Sequence, residues 1–400
     1  MQIKTKKEYY GIITLLGLLT GLIPFSVDMY LPGFPAIAAG LGTDVAAVGI
    51  SLASFFIGVC LGQLIYGPLM DRFGRKLPLL VGMGIYILAT VGCIYSTSVE
   101  QLIIYRLIQA LGGCAGMVAS RAAVRDLFPL AESAKVFSML MLVMGSAPII
   151  APSIGSLVLT SFNWQAIFMV LGLITLALFA GILLFLPESK APDATVSLNP
   201  VKIFREYGEV IKNPIFLVYT LVASFSSAAM FTYISSSPFV FMKLYHLSES
   251  QYGIAFGFNA CCLIIGSQLN RFLLLRKSSV WITYYSGFAL FFMGSLLALV
   301  TFLHRDTLSI TLFFISTSLL LIGVINPNTS ALSLAPFTKN AGMAAAFSGF
   351  FQMALSAVSA FSVSYFYNGT SMPMAVILAL NAFLSLLCLS ILQPSKNGRI

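Results

Sequence analysis

Apolar stretches about 20 residues long recur along the whole chain, and this recurrence limits the possible folds more than any other feature of the sequence. A helix of about 20 residues spans the ~30 Å hydrocarbon layer of a bilayer. The layer offers no water to backbone groups, so helices are the usual solution. We place twelve spans at residues 10–30, 46–66, 78–98, 101–123, 136–158, 164–186, 214–236, 251–270, 280–302, 308–330, 342–364 and 372–393. The sequence predicts an all-α membrane protein with twelve transmembrane helices.

The composition and the distribution of basic residues agree with this reading. Hydrophobic residues make up 58% of the 400 and charged residues 9%, with a mean hydropathy of +0.95. With the N-terminus inside, nearly all of the 22 lysines and arginines fall in cytoplasmic segments, whereas the outer loops hold Lys243 and Arg305. Basic residues accumulate on the cytoplasmic side. We therefore expect a multi-pass protein of the cytoplasmic (inner) membrane with both termini cytoplasmic. The net charge of +9 then reflects topology, and we expect the lipid bilayer, not nucleic acid, as its partner.

A polar stretch from Pro187 to about Asn213 divides the twelve spans into two sets of six. A faint repeat supports the division: "GPLMDRFGRK" from Gly67 and "GSQLNRFLLLRK" from Gly266 each close the second span of their half. Repeats of this kind build two-bundle transporters. We predict an N-terminal six-helix bundle at 1–188, a cytoplasmic linker at 189–212 and a C-terminal six-helix bundle at 213–400, related by pseudo-symmetry.

Asp28 is the one acidic residue that falls in the interior of a predicted span. Counting along the spans at ~1.5 Å per residue places Arg106 of span four within about a turn of the same depth. Charges inside a membrane are costly, and an ionisable residue there indicates function by default. We predict that Asp28 and Arg106 neutralise each other and carry proton coupling or substrate binding. A purely structural ion pair is the alternative.

A resemblance to a known family rests on four sequence stretches in spans one to five. The "GPLMDRFGRK" loop, with Gly67, Asp71, Arg72, Gly74, Arg75 and Lys76, resembles the loop signature of the major facilitator superfamily. "YRLIQALGG" around Arg106 resembles its fourth-helix motif. "APSIGS" resembles the fifth-helix motif of its antiporters, with alanine and serine in place of the outer glycines. "DMYLPGFPAIA" from Asp28 is similar to the first-helix pattern of the Bcr/CflA-type multidrug resistance subfamily.

The resemblance implies a major facilitator fold of the 12-helix drug:proton antiporter branch. It also implies that the loop latches the two bundles in one conformation. The residues of the loop suggest the same roles without the resemblance. Gly67 and Gly74 permit close backbone approach and a tight turn. We expect Asp71 to bond to a neighbouring helix end and the three basic residues to meet carboxylates or lipid phosphates. Simple anchoring by positive charge is the alternative reading.

Two further groups of residues are candidates. Span five contains Gly145, Pro148, Pro152 and Gly155, which predict a bend or a close contact with another helix. The alternative is the ordinary kinking that prolines cause in a transmembrane helix. Asp126 lies beside two arginines at the inner end of span four and is a second candidate for proton coupling. The alternative is that its carboxylate is solvated and only balances the charge of these arginines.

These features predict proton-coupled efflux of small amphiphilic compounds or drugs by alternating access, with antibiotic resistance as the consequence. An exporter of an endogenous metabolite or siderophore, and a proton-coupled importer, remain alternatives. No H-E-x-x-H, P-loop or G-x-S-x-G pattern occurs. We therefore expect a secondary active transporter and not an enzyme, with no catalytic residue, no metal and no cofactor, that takes a small-molecule substrate and protons and works as a monomer.

Overall fold

The structure is a computed structural model that describes residues 6–196, 198–337 and 341–391. Within these ranges twelve helical segments are long and apolar enough to cross a membrane, as predicted. The helices are α1 (Lys6–Asp28), α2 (Phe34–Gly40), α3 (Val45–Phe73), α4 (Lys76–Ile94), α5 (Val99–Leu127), α6 (Leu130–Ser161), α7 (Gln165–Phe185), α8 (Pro200–Ile211), α9 (Pro214–Ser237), α10 (Glu249–Leu273), α11 (Ser279–Phe302), α12 (Leu308–Leu334), α13 (Ala341–Tyr365) and α14 (Met372–Ile391).

The first span differs most from its predicted limits. It runs over Glu8–Gly40 and consists of α1, a 3₁₀ turn at Leu31–Gly33, and α2. The prediction ended it at residue 30, before Pro32, Gly33 and Pro35. In the structure the chain forms a 3₁₀ turn here and then continues as α2, so the span does not end. Asp28 therefore lies within the span.

The chain divides into two compact units. Unit 1 comprises Met1–Asp44 with Ser54–Phe204, and unit 2 comprises Val45–Ala53 with Arg205–Ile400. The polar stretch that suggested the linker contains the 12-residue helix α8, which the sequence reading missed. The expectation that both termini are cytoplasmic concerns segments outside the described residues and stays a prediction.

The two units repeat one packing pattern. In unit 1, α1 packs against α5, α6 and α7, while α4 packs against α5 and α7. In unit 2, α9 packs against α12, α13 and α14, while α11 packs against α12 and α14. The helices correspond in chain order once α2 and α8 are set aside. This correspondence is what the faint loop repeat indicated in the sequence.

Candidate functional site

Helix α1 ends at Asp28 for a local reason. Pro32 lies four residues further on, and a proline ring clashes with the carbonyl of the residue four positions before it in a helix. The chain turns at Leu31–Gly33 and resumes as α2. Asp28 is buried, with 3% of its surface exposed. The sequence thus places a carboxylate at the broken end of a membrane helix.

Arg106 of α5 is the largest fully buried side chain of the described structure. Its Nη1 donates to Oε1 of Gln109 at 2.7 Å, and its Nη2 donates to the backbone oxygen of Ser26 at 2.9 Å. The guanidinium carbon lies 4.1 Å from the ring centroid of Phe55 and 4.5 Å from that of Tyr30. Such cation–π contacts strengthen when the cation is desolvated. The arginine is held by two helices and two rings.

The contact with Ser26 has a clear cause. The last carbonyl groups of a helix lack intrahelical donors. The backbone N–H of Tyr30, which would normally reach Ser26, instead bonds to Val27. Arg106 fills the vacancy and places a cation at the C-terminus of α1, where the helix dipole favours it.

The predicted pairing of Asp28 with Arg106 needs a correction. The depth match holds, because Arg106 reaches α1 two residues before Asp28. However, no ion pair or hydrogen bond of the Asp28 carboxylate occurs among the described residues, and the structure's three salt bridges lie elsewhere. Residues two apart on a helix point about 200° apart, so a face that presents Ser26 to its neighbours directs Asp28 away from them.

A polar network surrounds the arginine. Nε2 of Gln109 donates to Oγ1 of Thr90 at 2.7 Å, and the hydroxyl groups of Ser26 and Tyr86 share a 2.6 Å hydrogen bond. All of these residues are buried. The sequence reading missed Gln109, Thr90 and Tyr86. The spacing of Gln109, three residues after Arg106 on one helix face, was the available signal.

The helix-five residues meet the broken end of α1. A Cβ added to Gly155 would collide with the carbonyl oxygen of Met29. Only glycine allows so close a backbone approach at this contact. Helix α6 runs through Pro148 and Pro152 as one helix, with Pro152 buried and Gly145 and Pro148 half-buried. The structure thus brings Gly155 next to the residue that follows Asp28.

The loop between α3 and α4, which holds Gly74 and Arg75, forms a second cluster with residues around it at the other end of unit 1. Nε of Arg75 donates to Oδ2 of Asp126 at 2.8 Å, and its Nη1 to Oδ1 of Asp71 at 3.1 Å. Nζ of Lys190, in the segment after α7, lies 2.6 Å from Oδ1 of Asp71. Asp71 therefore bonds to the segment that follows α7. The partner of Asp126 is Arg75, not the adjacent arginines of α5.

Gly74 and Gly67 differ in what they do. Gly74 has φ +82, which favours glycine, and a Cβ there would also meet the carboxylate of Glu188. Around Gly67 nothing described lies within 4 Å of an added Cβ. The expected close approach at Gly67 is therefore absent, because it lies within α3 and faces open space.

Glu188 was missed by the sequence reading. Its Oε1 accepts the backbone N–H of Arg75 at 2.6 Å, and its Oε2 accepts that of Lys76 at 3.2 Å, where α4 begins. A carboxylate at a helix N-terminus is favoured by the dipole. Arg72 donates to the carbonyl oxygens of Ala194 and Val196. Lys76 donates to a carbonyl oxygen of α7. These contacts bind the loop to the segment after α7.

The two clusters are far apart. Arg106 and Asp126 are separated by 20 residues of α5, which corresponds to roughly 30 Å at the α-helical rise. The Asp126 cluster also includes Ser189, whose hydroxyl donates to Oδ2 at 3.3 Å. Asp126 therefore belongs with the loop cluster and not with Asp28.

Unit 2 carries a neutral counterpart. At the position that corresponds to Asp71 stands Asn270, which is buried and accepts a 2.6 Å hydrogen bond from Nδ2 of Asn328. Asn259 donates to Tyr233 and accepts from Ser316. The buried polar residues described in unit 2 are serine, threonine and asparagine. The hydrogen bonds of Asn270 and Asn259 therefore join neutral groups.

Twelve spans in two units with matching packing, and charged side chains buried inside the first unit, define the class of helical membrane transporters. The comparison with known families agrees. The model of the Major Facilitator Superfamily matches residues 16–364, and the chain belongs to this superfamily.

Curated relatives are similar to the chain over nearly its whole length. The uncharacterized MFS-type transporter YdgK of Bacillus subtilis (strain 168) is 32% identical and covers 99% of this chain and 98% of its own length. The bicyclomycin resistance protein homolog of Haemophilus influenzae is 31% identical and covers 92% of each chain. The resemblance to the Bcr/CflA-type branch is thereby confirmed. Among solved structures, a D-xylose–proton symporter has a TM-score of 0.75 at 13% identity, covering 98% of this chain and 99% of its own. That likeness shows the fold.

Proposed function

We propose that the protein exports small amphiphilic compounds across the cytoplasmic membrane in exchange for protons, by alternating access. The observation that carries this proposal is the buried, unpaired carboxylate of Asp28 at the broken end of α1. Among the described residues it is the one acidic residue in the buried class. A buried charge without a partner is costly, whereas a protonated carboxylic acid bears no charge. The group is suited to bind and release a proton when its surroundings change.

Arg106 supports this role without pairing to the carboxylate. It fixes the end of α1 through the Ser26 carbonyl oxygen and supplies positive charge within two residues of Asp28. A rearrangement of the turn at Leu31–Gly33 would change how far the carboxylate lies from that charge. An opposite charge nearby favours the ionised form of a carboxyl group, and burial alone disfavours it. Movement of the turn would therefore couple proton release to conformation.

Gly155 links the same turn to α6. Its contact with the Met29 carbonyl oxygen is backbone to backbone, so a shift of α6 would be transmitted to the residue after Asp28. Asp126 stays the second candidate for coupling, but its salt bridge to Arg75 favours a part in switching.

The substrate class is inferred from the relatives and from the composition of the chain. One relative is named for bicyclomycin resistance, so bicyclomycin is the first compound to test, followed by phenicols, dyes, metabolites and siderophores. The 33 phenylalanines, 16 tyrosines and 16 methionines provide side chains that repack around varied shapes. Export of a compound made by the cell itself is the second candidate, since it needs the same machinery.

The test combines efflux and proton flux. The protein is produced in cells that lack their main exporters, and resistance is measured over the panel with and without a protonophore. For a compound that is exported, everted vesicles then report proton movement on its addition. Asp28→Asn keeps the shape but cannot release a proton, so proton-driven efflux should be lost.

Glu100→Gln is the matched control, because Glu100 is exposed in the first turn of the helix that carries Arg106. It should export at the parent rate. Uptake in place of export by the parent protein would establish the importer alternative. Full proton-driven efflux by a folded Asp28→Asn protein would remove Asp28 as the proton carrier.

A further inference from the structure

The hairpin between α10 and α11 presents positive charge beside exposed apolar side chains. Arg271, Arg276 and Lys277 are all exposed. Leu275 is 80% exposed and Phe272 65% exposed. We call these five residues, together with Leu274, Trp281 and Tyr285, the hairpin patch.

In the equivalent loop of unit 1, one of the three basic residues is paired with carboxylates. There Arg75 pairs with Asp71 and Asp126, and Lys190 also reaches Asp71. Glu188 lies at the start of α4 beside them. Within unit 1, therefore, acidic side chains of the protein itself meet Arg75, while Arg72 and Lys76 donate to backbone carbonyl oxygens.

The repeated loop in unit 2 has lost these acidic partners. Asn270 replaces the aspartate and is bonded to Asn328 in the interior. No salt bridge of Arg271, Arg276 or Lys277 occurs among the described residues. The acid on α10, Glu249, lies 22 residues before Arg271, which is roughly 33 Å away along the helix. Within the described part of the chain, these three cations are therefore not paired with a carboxylate.

The apolar part of the patch lies where lipid begins. Leu274 and Leu275 fall between the spans Glu249–Leu273 and Ser279–Phe302, yet both are exposed. The rings of Trp281 and Tyr285 contact each other with centroids 4.3 Å apart and planes tilted by 36°, and Nζ of Lys277 lies 4.8 Å from the centroid of the Trp281 ring. Tryptophan and tyrosine are enriched at membrane interfaces, where apolar and polar surroundings meet.

We propose that the hairpin patch binds an anionic phospholipid. The phosphate group contacts Arg271, Arg276 and Lys277, and the acyl chains run along Phe272 and Leu275. Basic clusters next to membrane spans attract anionic lipids, and within the described part of the chain no salt bridge occupies these three cations. The site does not depend on what the protein transports.

The two tryptophans of the chain allow a direct measurement. Trp164→Phe leaves Trp281, inside the patch, as the single tryptophan. This variant is reconstituted into bilayers containing dibrominated phosphatidylglycerol or dibrominated phosphatidylcholine, and quenching of Trp281 fluorescence gives the relative affinity for the two lipids. We expect phosphatidylglycerol to be preferred at least about threefold at low salt. The preference should weaken at high salt, which screens exposed charges.

The triple variant Arg271→Gln, Arg276→Gln, Lys277→Gln should bring the ratio close to one. Arg305→Gln, which removes an exposed cation from the α11–α12 loop, should leave the preference unchanged. Native mass spectrometry of the unmutated protein provides a second readout, in which phosphatidylglycerol should be retained over phosphatidylcholine. Equal affinity for both lipids, or an undiminished preference in the triple variant, would overturn the proposal. So would loss of the preference on adding millimolar inorganic phosphate, because the site would then bind free anions.

Discussion

The guanidinium group of Arg106 donates a 2.9 Å hydrogen bond to the backbone carbonyl oxygen of Ser26, two residues before α1 ends at Asp28. The arginine therefore bonds to the backbone at the end of α1 and not to the nearby Asp28 carboxylate. Gln109, on the same helix as Arg106, holds the guanidinium group in place, and the bond to Ser26 joins α5 to the end of α1. This relationship makes Arg106 a positioning residue, with consequences for stability that differ from those of an ion pair.

Arg106→Lys should destabilise unit 1 although it keeps the charge. Lysine lacks the planar fork that reaches Ser26 and Gln109 together, and hydrogen bonds to charged groups contribute about 1.5–3 kcal/mol. We expect a clear fall in the thermal midpoint in detergent. Arg125→Lys, at an exposed position of the same helix, is the control and should change little. Equal midpoints for the two variants would contradict the role of the fork.

A double-mutant cycle separates the two interpretations of Asp28 and Arg106. An ion pair predicts that Asp28→Asn with Arg106→Gln costs less than the two single changes together. The observed geometry predicts near additivity, with a coupling energy below about 0.5 kcal/mol in the stability of the resting protein. Thermal unfolding of the four proteins measures it. A coupling energy of several times that size would support the ion-pair interpretation instead.

Gly155→Ala should lower both stability and transport. The new Cβ collides with the Met29 carbonyl oxygen, and overpacking of this kind costs about 1–3 kcal/mol. Gly67→Ala is the matched control for stability, since open space surrounds that position and alanine favours the helix by up to about 1 kcal/mol. The thermal midpoints of the two variants should move in opposite directions. A Gly155→Ala protein as stable as the parent would mean that the contact yields easily.

Asp71→Ala should slow transport while leaving substrate affinity unchanged. The Asp71 side chain is 41% exposed, so the stability that it contributes through Lys190 is small, about 0.2–1 kcal/mol. Its expected effect is on switching between conformations. Lys190→Gln, which removes one of the two partners, should have a weaker effect. Transport rates in proteoliposomes and binding isotherms are compared, and lost binding with intact turnover would point to a different role.

The pattern of apolar residues was enough to predict the twelve spans, because hydropathy over about 20 residues is a property of each segment alone. The buried charges were also readable, since Asp28 and Arg106 stand out from apolar surroundings. The loop motif predicted that Asp71 bonds to a neighbouring helix end and that the basic residues meet carboxylates or lipid phosphates. In each case the signal lies within one stretch of sequence.

What only the tertiary structure decided is which side chains meet. The sequence placed Asp28 and Arg106 at one depth. In the folded unit, however, the rotation of α1 about its axis directs Asp28 elsewhere, and Arg106 bonds to the carbonyl oxygen of Ser26. Asp126 and Glu188 joined the loop because the ends of α5 and α7 pack beside it. Helix rotation and the contacts between distant segments follow from the packing of the whole unit, which no single stretch of the sequence encodes.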